Sequence, residues 1–399
     1  MSDTLTHVLA SMKEVKRPQR QFLVAIVAVF MHFVGRATFR NLSRYITFDE
    51  KTLSRWFRRD FNFSALNTAL LTQAFPKEHL FIAAIDASFI QKSGDKTDGI
   101  AKFWNGSQSR AEKGIEISTL AVVDTVGHTA YALDTRQTID RKDTSRVEQY
   151  ADQIKTNITY LHSIGVKYLV ADGYYSKQKF IETVIECSLN YIGKLRRDAD
   201  LWWPYAGEYK GRGRKQKYDS KVMFDDDMSK WTSCDAQDDN SEIFTALLHS
   251  KSMKRLIRVV LIRPTNSSHN KRRQTLLFST DIELSAQHIV DYYKLRFQIE
   301  FLFRDAKQHT GLTDFQCRHQ KSIHTHTNVS MTTLNMIKLE DKKLKNATGP
   351  TVISIASWRR RKLNEHLMQR FFAMSKIDPN GKNIRDAFEK LKDYGGIAA

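Results

Sequence analysis

Phe81-Ile82-Ala83-Ala84-Ile85-Asp86-Ala87-Ser88-Phe89-Ile90 is an apolar run of strand length interrupted once by a carboxylate. Such a run, without polar alternation, reads as a central strand covered on both faces. A lone acid there is costly unless cations or hydrogen-bond donors meet it. A strand-end residue satisfied by a backbone cap would also serve. Downstream, Lys167-Tyr-Leu-Val-Ala171-Asp172-Gly173-Tyr-Tyr-Ser176 repeats the pattern: an apolar strand closes on an acid, and a helix is expected from near Ser176. Acids at carboxyl strand ends of an α/β sheet lie where ligand sites gather. An Asp-Gly pair also makes an ordinary turn, but the helical run behind it argues against a hairpin.

Between the two acids, residues 91–113 read as a polar loop. Gly114–Asp124 and Thr129–Leu133 then read as a hairpin turning at Val126-Gly127, followed by a helix from Ser145 to His162. With Asn190–Lys194 as a further strand, the acids fall on the first and fourth strands of a unit spanning 76–196. Residues 197–284 alternate strand-like runs, among them Leu256–Ile262 and Gln274–Ser279, and predict a β-rich insertion. Within it, Tyr209-Lys-Gly-Arg212-Gly-Arg214-Lys215-Gln-Lys-Tyr218 is a cationic, tyrosine-flanked loop. Arg212, Arg214 and Lys215 suit a phosphate backbone, although a run of solvated charges looks the same. Trp202 and Trp203 suit either base stacking or core packing.

The third acid lies in Tyr293-Lys-Leu-Arg296-Phe-Gln-Ile-Glu300-Phe-Leu-Phe-Arg304-Asp-Ala-Lys307. At 100° per residue, Tyr293, Arg296, Glu300 and Lys307 fall within roughly 60° of one helix face. Arg304 joins that stripe, and Leu295, Ile299, Leu302 and Ala306 form the opposite one. A carboxylate among cations and a phenol, backed by apolar residues, suits an acid offered to a metal and bases offered to phosphates. An ordinary solvated face opposite a core face gives the same periodicity.

The spacing Tyr-x2-Arg-x3-Glu-x6-Lys resembles the YREK motif of DDE transposases from bacterial insertion sequences, and all four positions match. The resemblance covers about residues 80 to 315. It implies an α/β, ribonuclease H-like core in two parts, 76–196 and 285–340, separated by the β-rich insertion. It also implies that Asp86, Asp172 and Glu300 converge as catalytic metal ligands. Three converging carboxylates repel one another unless cations separate them, and oxygen ligands suit Mg²⁺ or Mn²⁺ rather than zinc. By the same resemblance two such ions are held, Asp86 bridging both. Tyr293, Arg296 and Lys307, with Arg304, Arg212, Arg214 and Lys215, are expected on DNA phosphates. The family further implies cleavage and strand transfer at terminal inverted repeats, joining to target DNA, and a homodimer that pairs two ends. No tryptophan lies between Trp231 and Tyr293, where a relative with a base-flipping tryptophan carries it.

Composition agrees with a polyanionic partner. The 399 residues hold 63 Lys plus Arg against 44 Asp plus Glu, a net +19, which favours DNA through steering and counterion release. The three cysteines, Cys187, Cys234 and Cys317, are widely spaced and make neither a disulfide framework nor a zinc knuckle. A reducing cytoplasm, in a prokaryote, is the expected compartment. The most apolar stretch, 22–34, is too short to span a bilayer and reads as a buried helix, so no membrane partner is expected. After it, residues 37–45 and a helix from Lys51 to Arg59 predict an all-α helix-turn-helix domain over 1–75, with Thr47–Glu50 in capping-box form. Lys51, Arg55, Arg58 and Arg59 are the candidates for recognising DNA ends; a three-helix bundle with solvated arginines is the other reading. Residues 341–399 predict a helical tail carrying Trp358-Arg-Arg-Arg-Lys362. Two rival functions fit the same chain: a non-catalytic DNA-binding relative, and a structure-selective nuclease on the same core.

Overall fold

The computed structural model describes residues 2–209, 211, 213–224, 228–234, 241–265, 274–348, 354–379 and 381–396. Five helices come first: α1 (Ser2–Ser11), α2 (Arg17–His32), α3 (Phe39–Leu42), α4 (Glu50–Trp56) and α5 (Phe63–Ala74). Pro18 sits in the first turn of α2, where a missing N–H leaves nothing unpaired. The cap of α4 is Asp49, whose carboxylate accepts the Thr52 N–H at 2.6 Å. That is two residues beyond the Thr47 box read from the sequence, because aspartate is the stronger N-cap. Helix α4 buries Leu53, while Phe57 is buried just past its end. Trp56 stacks on Phe22 at 5.0 Å.

Then follow β1 (Phe81–Gln91), β2 (Ala101–Asn105), β3 (Arg110–Asp124), β4 (Thr129–Thr138), α6 (Arg146–Ser163), β5 (Tyr168–Val170), α7 (Gln178–Glu186) and β6 (Asn190–Leu195). The insertion supplies β7 (Leu201–Pro204), β8 (Tyr218–Lys221), β9 (Thr232–Cys234), β10 (Ser241–Ser250), β11 (Arg255–Pro264) and β12 (Thr275–Ser279). Five helices complete the described chain: α8 (Ala286–Leu295), α9 (Phe297–His309), α10 (Gln320–Thr348), α11 (Ile355–Ser375) and α12 (Lys382–Lys392).

All the described strands join one mixed sheet. Its first part runs β4-β3-β1-β5-β6, with β3 antiparallel to β1 and β4, and β5 parallel to β1 and β6. The second part continues from β6 through β12, β11, β10 and β7 to β8, every pair antiparallel. The 91–113 stretch, read as a loop, contains β2. Phe103 of β2 is fully buried, and the Arg146 guanidinium covers its ring at 4.5 Å. Gly114 faces both Gln91 and Ala101 where β3 passes from β1 to β2. A Cβ there would lie 2.4 Å from the Ile90 carbonyl oxygen, so only glycine fits this junction.

Strand β4 is the sheet's edge on the core side, and α10 covers it with amides in place of a neighbouring strand. Asn328 accepts the Thr135 N–H at 3.0 Å and donates to the Thr135 carbonyl at 2.7 Å. Two turns on, Asn335 does the same for Ala132, at 2.9 and 2.7 Å. Residues from Leu5 in α1 to Ile355 in α11 share one continuous apolar core. The basic run on α11 is largely held in internal contacts: Arg359 donates to the Phe33 carbonyl, Arg361 pairs with Asp393 and Lys362 pairs with Glu340 and Glu365.

Candidate active site

Strand β1 is wholly buried from Phe81 to Ile85 and opens at Asp86. The Asp86 carboxylate accepts the N–H of Ala87 at 2.8 Å. The pairing of Ala83 with Leu169 and Ala84 with Val170, carried two residues on, brings Asp172 level with Asp86. Beyond β5 the chain enters a single 3-10 turn, Gly173–Tyr175, instead of a hairpin, and the Asp172 side chain does not cap that turn. It remains exposed and accepts a hydrogen bond from the Tyr293 hydroxyl. Tyr191 of β6 lies behind it, its hydroxyl 3.5 Å from the Asp172 carbonyl.

The helix carrying Glu300 is broken at Arg296. This residue closes α8 and opens α9 with helical dihedrals, φ −51° and ψ −36°. The turn is tightened by bonds from Arg296 N–H to the Tyr293 carbonyl and from Ile299 N–H to the Arg296 carbonyl, at 3.2 and 3.1 Å. From that joint Arg296 reaches Glu300 Oε1 with Nη2 at 2.9 Å and Asp86 Oδ2 with Nη1 at 3.8 Å. Its side chain is only 9% exposed, whereas that of Glu300 is 46% exposed. Burial acts to lower the Arg296 pKa, but Tyr293, Glu300, Asp86 and Asp172 raise it above the ordinary value.

The electrostatics tie these residues into one group. Asp86 is raised to about 6, first by burial and then, against the Ala87 bond and Arg296, by the charges of Glu300 and Asp172. Tyr293 is raised to about 12, first by burial; Arg296 opposes the rise, and Asp172 adds to it as charge and as hydrogen-bond acceptor. Three neighbouring carboxylates of this kind are held in their charged form when a divalent cation binds among them. The donors are oxygens throughout, which suits Mg²⁺ or Mn²⁺. As the side chains stand, no group of three or more His, Cys, Asp or Glu among the described residues is spaced to hold a metal ion. The Arg296 guanidinium bridges two of the three acids instead.

The other candidates are dispersed. Lys307 donates to the Phe89 carbonyl at 3.3 Å, three residues along β1 from Asp86, and burial lowers its pKa. Arg304, one turn beyond Glu300 on α9, pairs with Asp305 at 3.0 Å and stacks on Phe301 at 4.8 Å. Arg214 and Lys215 are exposed, and Lys215 lies over the Tyr209 ring at 5.3 Å; Arg212 lies outside the described residues. Lys51, Arg55, Arg58 and Arg59 are all exposed on or just after α4. Arg58 lines a cleft of about 480 Å³ with Arg40 and Arg318, and Arg59 covers Trp56 at 4.0 Å. Trp202 and Trp203 are half-buried in the insertion, with Lys251 3.6 Å from the Trp202 ring and Trp231 edge-on to Trp203 at 5.7 Å. Sequence reading missed Tyr191 and Tyr175, the phenols beneath the acids. The one signal was Gly193, which leaves room for the Tyr191 ring.

Residues 81–336 match the family model for a transposase DDE domain. No curated protein matches significantly. Among solved structures, one similar chain is in a cryo-EM structure of the piggyBac transposase synaptic complex with hairpin DNA, at 11% identity. The alignment covers 97% of this chain and 80% of that one with a TM-score of 0.43, a likeness too distant to carry residue roles. No described helix is long and apolar enough to cross a membrane. On the family match, spanning well over half its length and holding all three acids, the chain belongs to the DDE transposases, enzymes that cut and transfer DNA.

Proposed function

We propose that this transposase cleaves the terminal inverted repeats of an insertion sequence and joins the freed 3′-hydroxyls to target DNA, using Asp86, Asp172 and Glu300. The observation that carries the reading is the meeting of acids from β1, the end of β5 and α9 around one guanidinium. The strand order β4-β3-β1-β5-β6, antiparallel then parallel, supports a ribonuclease H-like core. Asp86, Asp172 and Glu300 would hold two Mg²⁺ or Mn²⁺ ions, which when bound supply activation of the attacking oxygen and stabilisation of the leaving one. Arg296 and Tyr293 are placed to fix the phosphate next to the scissile bond, and Lys307 a phosphate further along β1. Asp86 is half-buried with Tyr175 close to it, which limits water around the reacting group, where fixed charges act more strongly. The exposed cations on and after α4 serve to hold the DNA end, as a helix-turn-helix does, with a second copy of the chain holding the other end.

The test is strand cleavage and joining on paired DNA ends bearing the flanking inverted repeats, with Mg²⁺ or Mn²⁺. Asp86→Asn, Asp172→Asn and Glu300→Gln should each lower both steps by at least about 10³-fold, the several kcal/mol a metal ligand supports, while DNA binding persists. Binding without cleavage in the native chain would favour a non-catalytic relative, and cleavage without joining a nuclease.

A further inference from the structure

We propose that Arg296 is a resident counter-ion: it occupies the position of a cation among the three carboxylates, and metal is admitted in full only when a DNA phosphate draws the guanidinium away. The inference rests on the reading of Asp86, Asp172 and Glu300 as the metal-binding acids.

Three features of the geometry point to a displaceable contact. Arg296 spans two acids on different elements, at 2.9 Å to Glu300 and 3.8 Å to Asp86. Neither is a two-point fork, which is the arrangement that makes guanidinium–oxyanion pairs strong. Second, Arg296 Nε is buried without a hydrogen-bond partner, so one donor of the guanidinium is unmet where it stands. A buried donor left unpaired is costly, and a phosphate with several acceptor oxygens could engage Nε and an Nη together. Third, the outer partner is accessible: Glu300 is 46% exposed, so the ion pair opens directly to solvent and to DNA.

The consequence is thermodynamic coupling through one side chain. While Arg296 bridges Asp86 and Glu300, a divalent ion must compete with a positive charge already in place. When a phosphate takes the guanidinium, the acids are freed and repel one another, which favours the ion. By linkage, metal must then strengthen DNA binding by the same factor as DNA strengthens metal binding. DNA-free protein is thereby kept from loading metal and attacking DNA that does not seat a phosphate on Arg296.

The measurement is Mn²⁺ affinity of the full-length chain, from the free-ion electron paramagnetic resonance signal, with and without a short repeat-end duplex. Arg296→Gln, without DNA, should bind Mn²⁺ about ten- to a hundredfold more tightly than the native chain, the usual span of coupled sites. The gain should vanish when Asp86→Asn is added. The enhancement of Mn²⁺ binding by the duplex should shrink correspondingly in Arg296→Gln. Arg296→Lys, which keeps the charge and an ion pair, should bind Mn²⁺ close to the native level. Arg296→Met, which removes the charge and keeps an apolar stem, serves if the glutamine variant fails to fold, and Mn²⁺ binding by it no tighter than native overturns the proposal. Equal or weaker Mn²⁺ binding in a folded Arg296→Gln also overturns it, leaving the metal reading intact. No Mn²⁺ binding that depends on Asp86 or Glu300 in any variant, with or without DNA, sinks the metal reading itself.

Discussion

Behind Asp172, the Tyr191 ring fills the space that a side chain on Gly193 would need. A Cβ at Gly193 would lie 2.5 Å from Tyr191 Cε1 and 2.9 Å from Ser176 Oγ. Ser176 in turn donates to the Lys194 carbonyl at 2.9 Å, fastening the turn after Asp172 to β6. Gly193→Ala should therefore cost about 1–3 kcal/mol by overpacking, read as a lower midpoint in chemical denaturation. On the proposed mechanism it should also reduce cleavage more than DNA binding; an unchanged midpoint would show that the ring has room to move. Asp86 and Asp172 were legible because a carboxylate inside an apolar run is an anomaly that chemistry must resolve. Tyr191 was not, since a tyrosine in a strand is ordinary and its service to Asp172 depends on a neighbouring strand. Arg304 sits one turn beyond Glu300 on α9, as helical phase expects, with Asp305 and Phe301 as its partners.

Helix α10 and strand β4 show how one element completes another. The Thr135 and Ala132 backbone groups face outward from the edge of the sheet, and Asn328 and Asn335 take up all four. Asn335 also donates to Asn67 of α5 at 3.1 Å, tying the amino-terminal helices to the same edge. Asn335→Ala would leave a buried N–H and a buried carbonyl without partners, at about 1–3 kcal/mol each. A fall in unfolding free energy of roughly 2–5 kcal/mol is expected, and a loss below about 0.5 kcal/mol would mean that water replaces the amide. None of this was readable beforehand, because two asparagines seven residues apart also describe a plain polar helix face. The break at Arg296 was equally hidden: no glycine or proline marks it, and the joint shows only in the tightened bonds from Arg296 N–H to the Tyr293 carbonyl and from Ile299 N–H to the Arg296 carbonyl.

Across the whole molecule, two buried imidazoles link remote parts of the chain. His32 of α2 stacks on His366 of α11 at 4.2 Å, and burial, followed by the His366 charge, lowers its pKa from 6.5 to about 4. His326 of α10 bonds the Gly311 carbonyl at 2.8 Å between Phe30, Phe57 and Phe315, and burial likewise lowers it to about 4. Around His32 the Arg359 charge lowers the pKa and the Ala28 bond raises it; around His326, Lys92 lowers it and Gly311 raises it. Between pH about 4 and 6.5 the unfolded chain therefore binds more protons than the folded one. Stability should rise with pH through that window and be complete above it, each imidazole contributing on the order of 3 kcal/mol. Thermal unfolding from pH 7.5 to 5 should show the fall, and His32→Phe should flatten it; an unaltered slope would assign the titration to other groups. The mixed order of helices and strands was legible at this scale, but the fusion of insertion and core into one sheet was not, because strand order is decided by contacts distant in sequence.

That fusion has a consequence for which lengths of chain can vary. Strand β12 pairs with β6, Thr280 N–H bonds the Tyr191 carbonyl at 3.0 Å, and α8 begins at Ala286. The third acid is thus indexed to the same strand that supports the second, through the short connection 280–285. Residues added or lost at the far rim, around β8 and β9, leave all three carboxylates where they are. A single residue added or lost within β12, or in α8 and α9 ahead of Glu300, shifts a register or turns a helix by about 100°, separating Glu300 from its partners while the rest of the sheet folds unchanged.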